Sequence, residues 1–353
     1  MTRENNVNIL KASPLPPPGE IRERFPITAD MAGKIAADRD DIRAILDGRS
    51  DKLLAIVGPC SIHDPGEAYE YAKRLSGLAA RFSRHVKVVM RAYFEKPRTT
   101  LGWKGLIYDP DLSGHYEIAR GIAAARELLV KLIASGLPVA TEMLDTIIAQ
   151  YIADLVSWTA IGARTAESQL HRQLASGLSM PVGFKNATDG SVQVALDAIK
   201  TARAPHSFIG VMEDSGRVGV FETRGNPWCH VVLRGGEHPN YGAEHVAFLK
   251  VALKKAGLPP GMVIDCSHAN SGKDYRMQAK AFRDVADQVA AGEDAIKGFM
   301  LESYLQPGSQ RLCAGERPRP GVSVTDGCIG WEETAELISE AARAAEKRAA
   351  IRH

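Results

Sequence analysis

Cysteine is scarce in this chain of 353 residues: five in all, Cys60, Cys229, Cys266, Cys313 and Cys328, with no CxxC pair. An odd, widely spaced set excludes a disulfide framework and reads as the reduced thiols of a cytoplasmic protein. Long apolar runs are lacking too. The longest, such as residues 53–57, fall far short of the roughly 20 residues a membrane-spanning helix needs. The opening MTRENNVNIL has no apolar stretch after its charges, so no secretory signal is expected there. Nor is one sign of charge in surplus. Lys plus Arg number 44 and Asp plus Glu 42, a formal net charge of +2. That balance excludes a nucleic-acid coat or a polybasic membrane binder. No internal repeat is present, and no low-complexity tract beyond the short PLPPP of residues 14–18.

What remains is ordinary globular composition, 45% hydrophobic and 24% charged. The length fits about two domains or a single α/β barrel. Residues 1–50 read as an extension: PLPPPG is stiff and extended, and 27–47 form a helix with Thr28 as N-cap and Gly48 just past its end. From residue 51 to 353 a regular alternation follows. Eight apolar runs predict strands at 53–60, 86–94, 137–144, 156–164, 180–187, 230–236, 262–270 and 296–304. Helical spacing appears at 66–82, 116–135, 169–178, 191–202, 243–256, 275–291 and 331–350. Several strands are continuous apolar runs, the pattern of a parallel sheet buried on both faces. The fold class expected is therefore α/β, a (β/α)8 TIM barrel. A doubly wound sheet would show a glycine fingerprint after the first strand, and none is there. Residues 208–224 break the alternation and read as a β-hairpin inserted before the sixth strand, suited to assembly or regulation.

Barrel active sites form at the C-terminal strand ends. In order, those ends carry Cys60; Arg91, with Lys96 and Arg98 after it; Glu142; Arg164; Lys185; Arg234; His268; and Glu302, with Asp326 in the loop beyond. The cations Arg91, Lys96, Arg98, Arg164, Lys185 and Arg234 would repel one another in one cavity unless anions bind there. Arginine's planar fork suits phosphate and carboxylate. Taken singly, each also fits a surface charge or a structural ion pair. Cys60, His268, Glu302 and Asp326 combine a thiolate, an imidazole and two carboxylates, a set suited to one divalent transition metal. A buried structural cysteine and a hydrogen-bonded histidine are the alternative.

GPCSIHD (58–64), RAYFEKPRTTLGWKG (91–105), GARTAESQ (162–169), PVGFKNATDG (181–190), LRGG (233–236), DCSHAN (265–270) and VTDGCIGWEET (324–334) together resemble the 3-deoxy-D-arabino-heptulosonate 7-phosphate (DAHP) synthases of type I, the branch feedback-regulated by an aromatic amino acid. The likeness runs from about Asn5 to the end, with a local departure around residues 313–320. It implies a transferase of the shikimate pathway, leading to chorismate and the aromatic amino acids. Such an enzyme condenses phosphoenolpyruvate with D-erythrose 4-phosphate and water, with one divalent ion (Mn2+, Fe2+, Co2+ or Zn2+). By the same resemblance, Arg91, Lys96, Arg164, Lys185 and Arg234 hold phosphoenolpyruvate. Pro97, Arg98, Thr99 and Thr100 hold erythrose 4-phosphate. Cys60, His268, Glu302 and Asp326 are the metal ligands, and Lys96, Lys185 and Glu142 are the catalytic candidates. The resemblance also implies an allosteric pocket including Asp145, Gln150, Leu174, Leu178, Ser179, Phe208 and Val220, with residues 5–10 supplied by a neighbouring subunit of a homodimer or homotetramer. Leu174, Leu178 and Val220 fit helix and hairpin core equally well. Two rivals remain at this stage: the sister synthase that takes arabinose 5-phosphate, and a non-catalytic barrel that senses an aromatic amino acid.

Overall fold

The mainly apolar runs become a closed parallel barrel in the computed structural model, which describes residues 5–312 and 316–352. In chain order the strands are β1 (Leu53–Gly58), β2 (Val86–Arg91), β3 (Val139–Glu142), β4 (Trp158–Ile161), β5 (Val182–Lys185), β6 (Ser207–Val211), β7 (Val218–Glu222), β8 (Cys229–Leu233), β9 (Met262–Asp265) and β10 (Ile296–Glu302). The barrel order is β1-β10-β9-β8-β5-β4-β3-β2, with β6 and β7 a separate antiparallel pair. This is the (β/α)8 architecture with the expected hairpin inserted before the sixth barrel strand, β8. Its turn runs through Gly216, at φ +64°.

Side chains on β1 alternate between two cores, as the two-residue period of a strand requires. Leu53, Ala55 and Val57 pack outward under the helices. Leu54 and Ile56 point into the barrel with Val89, Trp158, Val232, Val263 and Met300. Ile42, Ile45 and Leu46 join that inner core from a helix of the N-terminal extension.

The helices are α1 (Pro18–Arg24), α2 (Ala29–Leu46), α3 (Pro65–Phe82), α4 (Ile118–Ala134), α5 (Ala149–Ile152), α6 (Gln169–Gly177), α7 (Gln193–Ala202), α8 (Ala243–Lys255), α9 (Gln278–Ala290) and α10 (Trp331–Arg352). The Thr28 side chain caps α2, accepting from Met31 N at 3.2 Å. Arg39 of α2 donates to the carbonyls of Ala153, Asp154 and Val156, just before β4. Lys87, early in β2, pairs with Asp38 and Asp41 at 2.7 and 2.8 Å. These contacts seat α2 beneath the strand starts, as a floor to the barrel.

One local expectation is corrected. PLPPPG is not extended throughout: Pro18 opens α1, because a proline at the first helical position loses no hydrogen bond. Gly19 N of that helix donates to Glu213 O in the hairpin turn at 2.9 Å. The crossover from β3 to β4, where the sequence shows no long helical run, holds only the short α5 and a 3-10 turn at Ala153–Leu155. Cys313 lies outside the described residues. The four cysteines within them, Cys60, Cys229, Cys266 and Cys328, are free and buried.

Candidate active site at the C-terminal rim

Three of the rim residues are the last of their strands: Glu142, Lys185 and Glu302. Arg91 also ends its strand, but it lies beneath the rim. It is fully buried, its Nη2 donating to Glu302 Oε1 at 3.1 Å and its guanidinium 4.0 Å from the Tyr93 ring centroid. Cys60, Arg164, Arg234 and His268 sit in the turns just beyond the strands. Asp326 returns to the rim because the long segment after β10 folds back on itself, with bridges from Ser303 to Ile329 and from Gly308 to Cys328.

Cys60 Sγ, a Glu302 carboxylate oxygen and an Asp326 carboxylate oxygen lie within 4.8 Å of one another. His268 stands at the edge of this set, its Nε2 3.8 Å from Glu302 Oε1. Cys60 Sγ donates to Asp326 Oδ2 at 3.5 Å, and Lys96 Nζ donates to Cys60 Sγ at 3.1 Å. Burial and the Glu302 charge push the thiol up to about 12. Two carboxylates and a buried sulfur converge on one point, with an imidazole at hand. A divalent cation fits that donor set, since it would turn the thiol into a thiolate and offset the carboxylate charge. His268 adopts φ +56°, a left-handed conformation uncommon outside glycine, which marks a position held by its surroundings.

Above this group opens a cavity of about 240 Å³. Lys96, Pro97, Arg98, Thr99, Glu142, Arg164, Lys185, Arg234, His268, Glu302 and Asp326 all line it. Of the expected site residues, Arg91 and Cys60 lie beneath the cavity wall, and Thr100 is exposed outside it. Arg164 Nη2 donates to Thr99 Oγ1 at 3.3 Å, and Arg98 Nε to Trp103 O at 2.8 Å. Burial, with repulsion from Arg164, lowers the Arg234 guanidinium. Lys185 is buried, and Asp265 and Glu142 raise its ammonium against the cost of burial. Gly162 faces the Glu142 carboxylate so closely that a Cβ there would push Oε1 from its place.

Four further buried residues shape the site without a sequence signal of their own. Asn186, Asn240 and Asn270 tie three strand ends together. Asn186 accepts from Arg234 N at 2.8 Å, Asn240 accepts from Gly235 N at 2.8 Å, and Asn270 accepts from Asn240 N at 2.7 Å. The fourth, Asp265, touches both Lys185 and His268. Asn186, Asp265 and Asn270 sit inside the motifs and Asn240 just beyond LRGG, but an asparagine or aspartate there has no local signal of which partner it meets.

Residues 25–339 match the DAHP synthetase I family. The chain belongs to this family. It is 51% identical over 346 residues to the Phe-sensitive phospho-2-dehydro-3-deoxyheptonate aldolase of Escherichia coli (strain K12), covering 98% of this chain and 99% of that one. It is 49% identical over 340 residues to the Tyr-sensitive enzyme of Salmonella typhimurium, at 95% and 94% coverage. Against the Trp-sensitive enzyme of Enterobacter agglomerans the identity is 47% over 348 residues, at 99% and 100% coverage. A solved structure of phospho-2-dehydro-3-deoxyheptonate aldolase from Francisella tularensis SCHU S4 matches with a TM-score of 0.94 at 45% identity, covering 97% of this chain and 99% of that one.

This DAHP synthetase I chain has a second large cavity, about 640 Å³, between α5, α6 and the hairpin. Gln150, Leu174, Leu178, Ser179 and Phe208 line it together with Arg22, Asp154, Phe221 and Thr223. Phe208 and Phe221 stack across the hairpin with centroids 5.7 Å apart. Two residues expected there lie elsewhere. Val220 faces outward and is 73% exposed. Asp145 packs against Glu95, its backbone N–H donating to Glu95 Oε1 at 3.2 Å. Burial and the Asp145 charge push Glu95 up to about 8. Residues 5–10 are exposed in the single chain. Among the described residues no helix is long and apolar enough to cross a membrane.

Proposed function

We propose that the chain is a 3-deoxy-7-phosphoheptulonate synthase that condenses phosphoenolpyruvate with D-erythrose 4-phosphate and water, releasing phosphate, at the first step of the shikimate pathway. The observation that carries this reading is the rim, where Lys96 joins a thiol and carboxylate group to a set of cations. Arg91, Lys96, Arg164, Lys185 and Arg234 hold the phosphoenolpyruvate carboxylate and phosphate, Arg91 from beneath, where its Nη1 is buried without a hydrogen-bond partner. Pro97, Arg98, Thr99 and Thr100 receive erythrose 4-phosphate, its phosphate facing Arg98. Cys60, His268, Glu302 and Asp326 hold one divalent ion of the Mn2+, Fe2+, Co2+ or Zn2+ kind. Such an ion supplies Lewis-acid polarisation of the aldehyde oxygen.

The chain's own residues do the rest. Fixing two anions in one cavity places carbon 3 of phosphoenolpyruvate against the aldehyde carbon, a gain from proximity and orientation. As that bond forms, positive character grows at carbon 2, where water adds. Lys185 and Glu142 both face the cavity and carry the proton of that water. The hemiketal phosphate then collapses, and the cations stabilise charge on the departing phosphate.

The second cavity takes an aromatic amino acid as feedback effector, with Asp145 acting from outside its wall. A homodimer or homotetramer is proposed. Exposed apolar residues on the hairpin (Ile209, Val218 and Val220) and on the extension (Val7 and Leu10) provide its contact surface. Free thiols suit a cytoplasmic location. The test is phosphate release from the two substrates, with a chelator and with each aromatic amino acid in turn. Release that needs a divalent ion and falls with one amino acid is expected. Release only with arabinose 5-phosphate, or none at all, overturns the reading.

A further inference from the structure

Asp265 closes β9 and belongs to neither group of the rim, yet it touches both. It is fully buried. Its Oδ2 lies 3.2 Å from Lys185 Nζ and 2.9 Å from His268 Nδ1. These are ion-pair contacts, without a well-angled hydrogen bond to Oδ2. Its Oδ1 accepts from Ser267 Oγ at 2.6 Å and from Ser267 N at 3.1 Å.

The serine also reads the histidine. Ser267 Oγ lies 2.7 Å from His268 Nδ1. A hydroxyl has one proton, and here it is given to Asp265, so toward Nδ1 the oxygen only accepts. Nδ1 therefore carries a proton, and Nε2 keeps the lone pair on the side of Glu302. Orientation of a metal-binding imidazole by a carboxylate behind it is a general feature of such sites. What is particular here is that the same carboxylate oxygen also holds Lys185, whose ammonium faces the anion cavity.

We propose that Asp265 is a positioning residue that couples metal binding to phosphoenolpyruvate binding, an inference that rests on the site reading given above. A cation on His268 Nε2 would withdraw electron density from the ring and make its Nδ1 edge, 2.9 Å from Asp265 Oδ2, more positive. The shared oxygen is drawn toward the imidazole, and its hold on Lys185 weakens. The ammonium is then freer to meet a substrate anion. Metal binding thus tightens phosphoenolpyruvate binding, and by linkage the substrate tightens the metal by the same factor.

The experiment uses Mn2+ and phosphoenolpyruvate as separate probes, without the second substrate. Free Mn2+ is counted by its paramagnetic resonance signal, and phosphoenolpyruvate binding is measured by calorimetry with and without the ion. In the wild type both probes bind, and the ion tightens phosphoenolpyruvate. In Asp265→Asn the Mn2+ dissociation constant rises by about 10–100-fold, and phosphoenolpyruvate affinity no longer responds to the ion. Ser267→Ala leaves the carboxylate in place and shifts Mn2+ affinity in the same direction by a smaller factor. It serves if Asp265→Asn does not fold. An unchanged Mn2+ affinity, or an intact response to the ion, in the folded variant overturns the role of Asp265 alone. A wild type that binds neither probe overturns the site reading as well.

Discussion

His230 lies inside the barrel, with both ring nitrogens committed. Nε2 sits 3.2 Å from Trp158 Nε1, an obligate donor, so it accepts there, and Nδ1–H meets Trp228 O at 3.1 Å. Burial lowers its protonation to about 4, against 6.5 for a free imidazole. The folded protein therefore disfavours the imidazolium. Stability from this residue is complete above about pH 6.5 and is lost as pH falls toward 4, by about 3 kcal/mol in full. The expected outcome is a His230 ring resonance that stays neutral through pH 5 in nuclear magnetic resonance. A titration midpoint near the ordinary histidine value would contradict it. The fully buried Asp265 shows the opposite balance. Burial alone would raise its carboxyl, but His268 and Lys185 hold it well below the usual carboxylate range.

At the scale of elements, α2 matters most for the barrel. It belongs to the extension in sequence, yet Ile42, Ile45 and Leu46 complete the inner core that β1, β2, β3, β4, β8, β9 and β10 begin. Ile45 is 1% exposed. Ile45→Ala is expected to cost about 3 kcal/mol, because the packed neighbours cannot collapse fully into the space left. Urea denaturation measures it. The rim lies at the opposite strand ends, so KM for phosphoenolpyruvate should hold at its wild-type value. A loss of substrate affinity equal to the loss of stability would mean that the floor and the rim are coupled. The hairpin acts differently: among the described residues β6 and β7 pair only with each other, and Phe208 and Phe221 supply a wall to the second cavity.

For the whole molecule, residues 316–330 and the eight strand ends meet at one charged centre. Glu302 and Asp326 lie close to a buried thiol, and an ion bound there favours the folded chain over the unfolded one. Stabilisation reaches about 2.7 kcal/mol when the free ion is at 100 times its dissociation constant. Chelation should therefore lower the thermal unfolding midpoint, and adding Mn2+ back should restore it. The same midpoint after verified metal removal would count against the ligand set. This reads stability, so it is independent of turnover.

Much of this could be read along the chain, for a physical reason. Strands buried on both faces must be continuous apolar runs, so eight of them stood out, and the chemistry at their ends followed from the barrel rule. Thr28 and Gly48 bounded α2 because capping is local. The resemblance carried by long motifs named the family, and the matches agree. What sequence could not supply were contacts between residues far apart in number. Nothing in the DCSHAN motif says that Asp265 meets Lys185, 80 positions earlier. Nothing in the strand pattern says that Arg91 is buried against Glu302, or that Val220 turns outward while Phe221 turns in. Propensity and period are set by neighbours along the chain. Which buried charge faces which is decided only when the barrel closes.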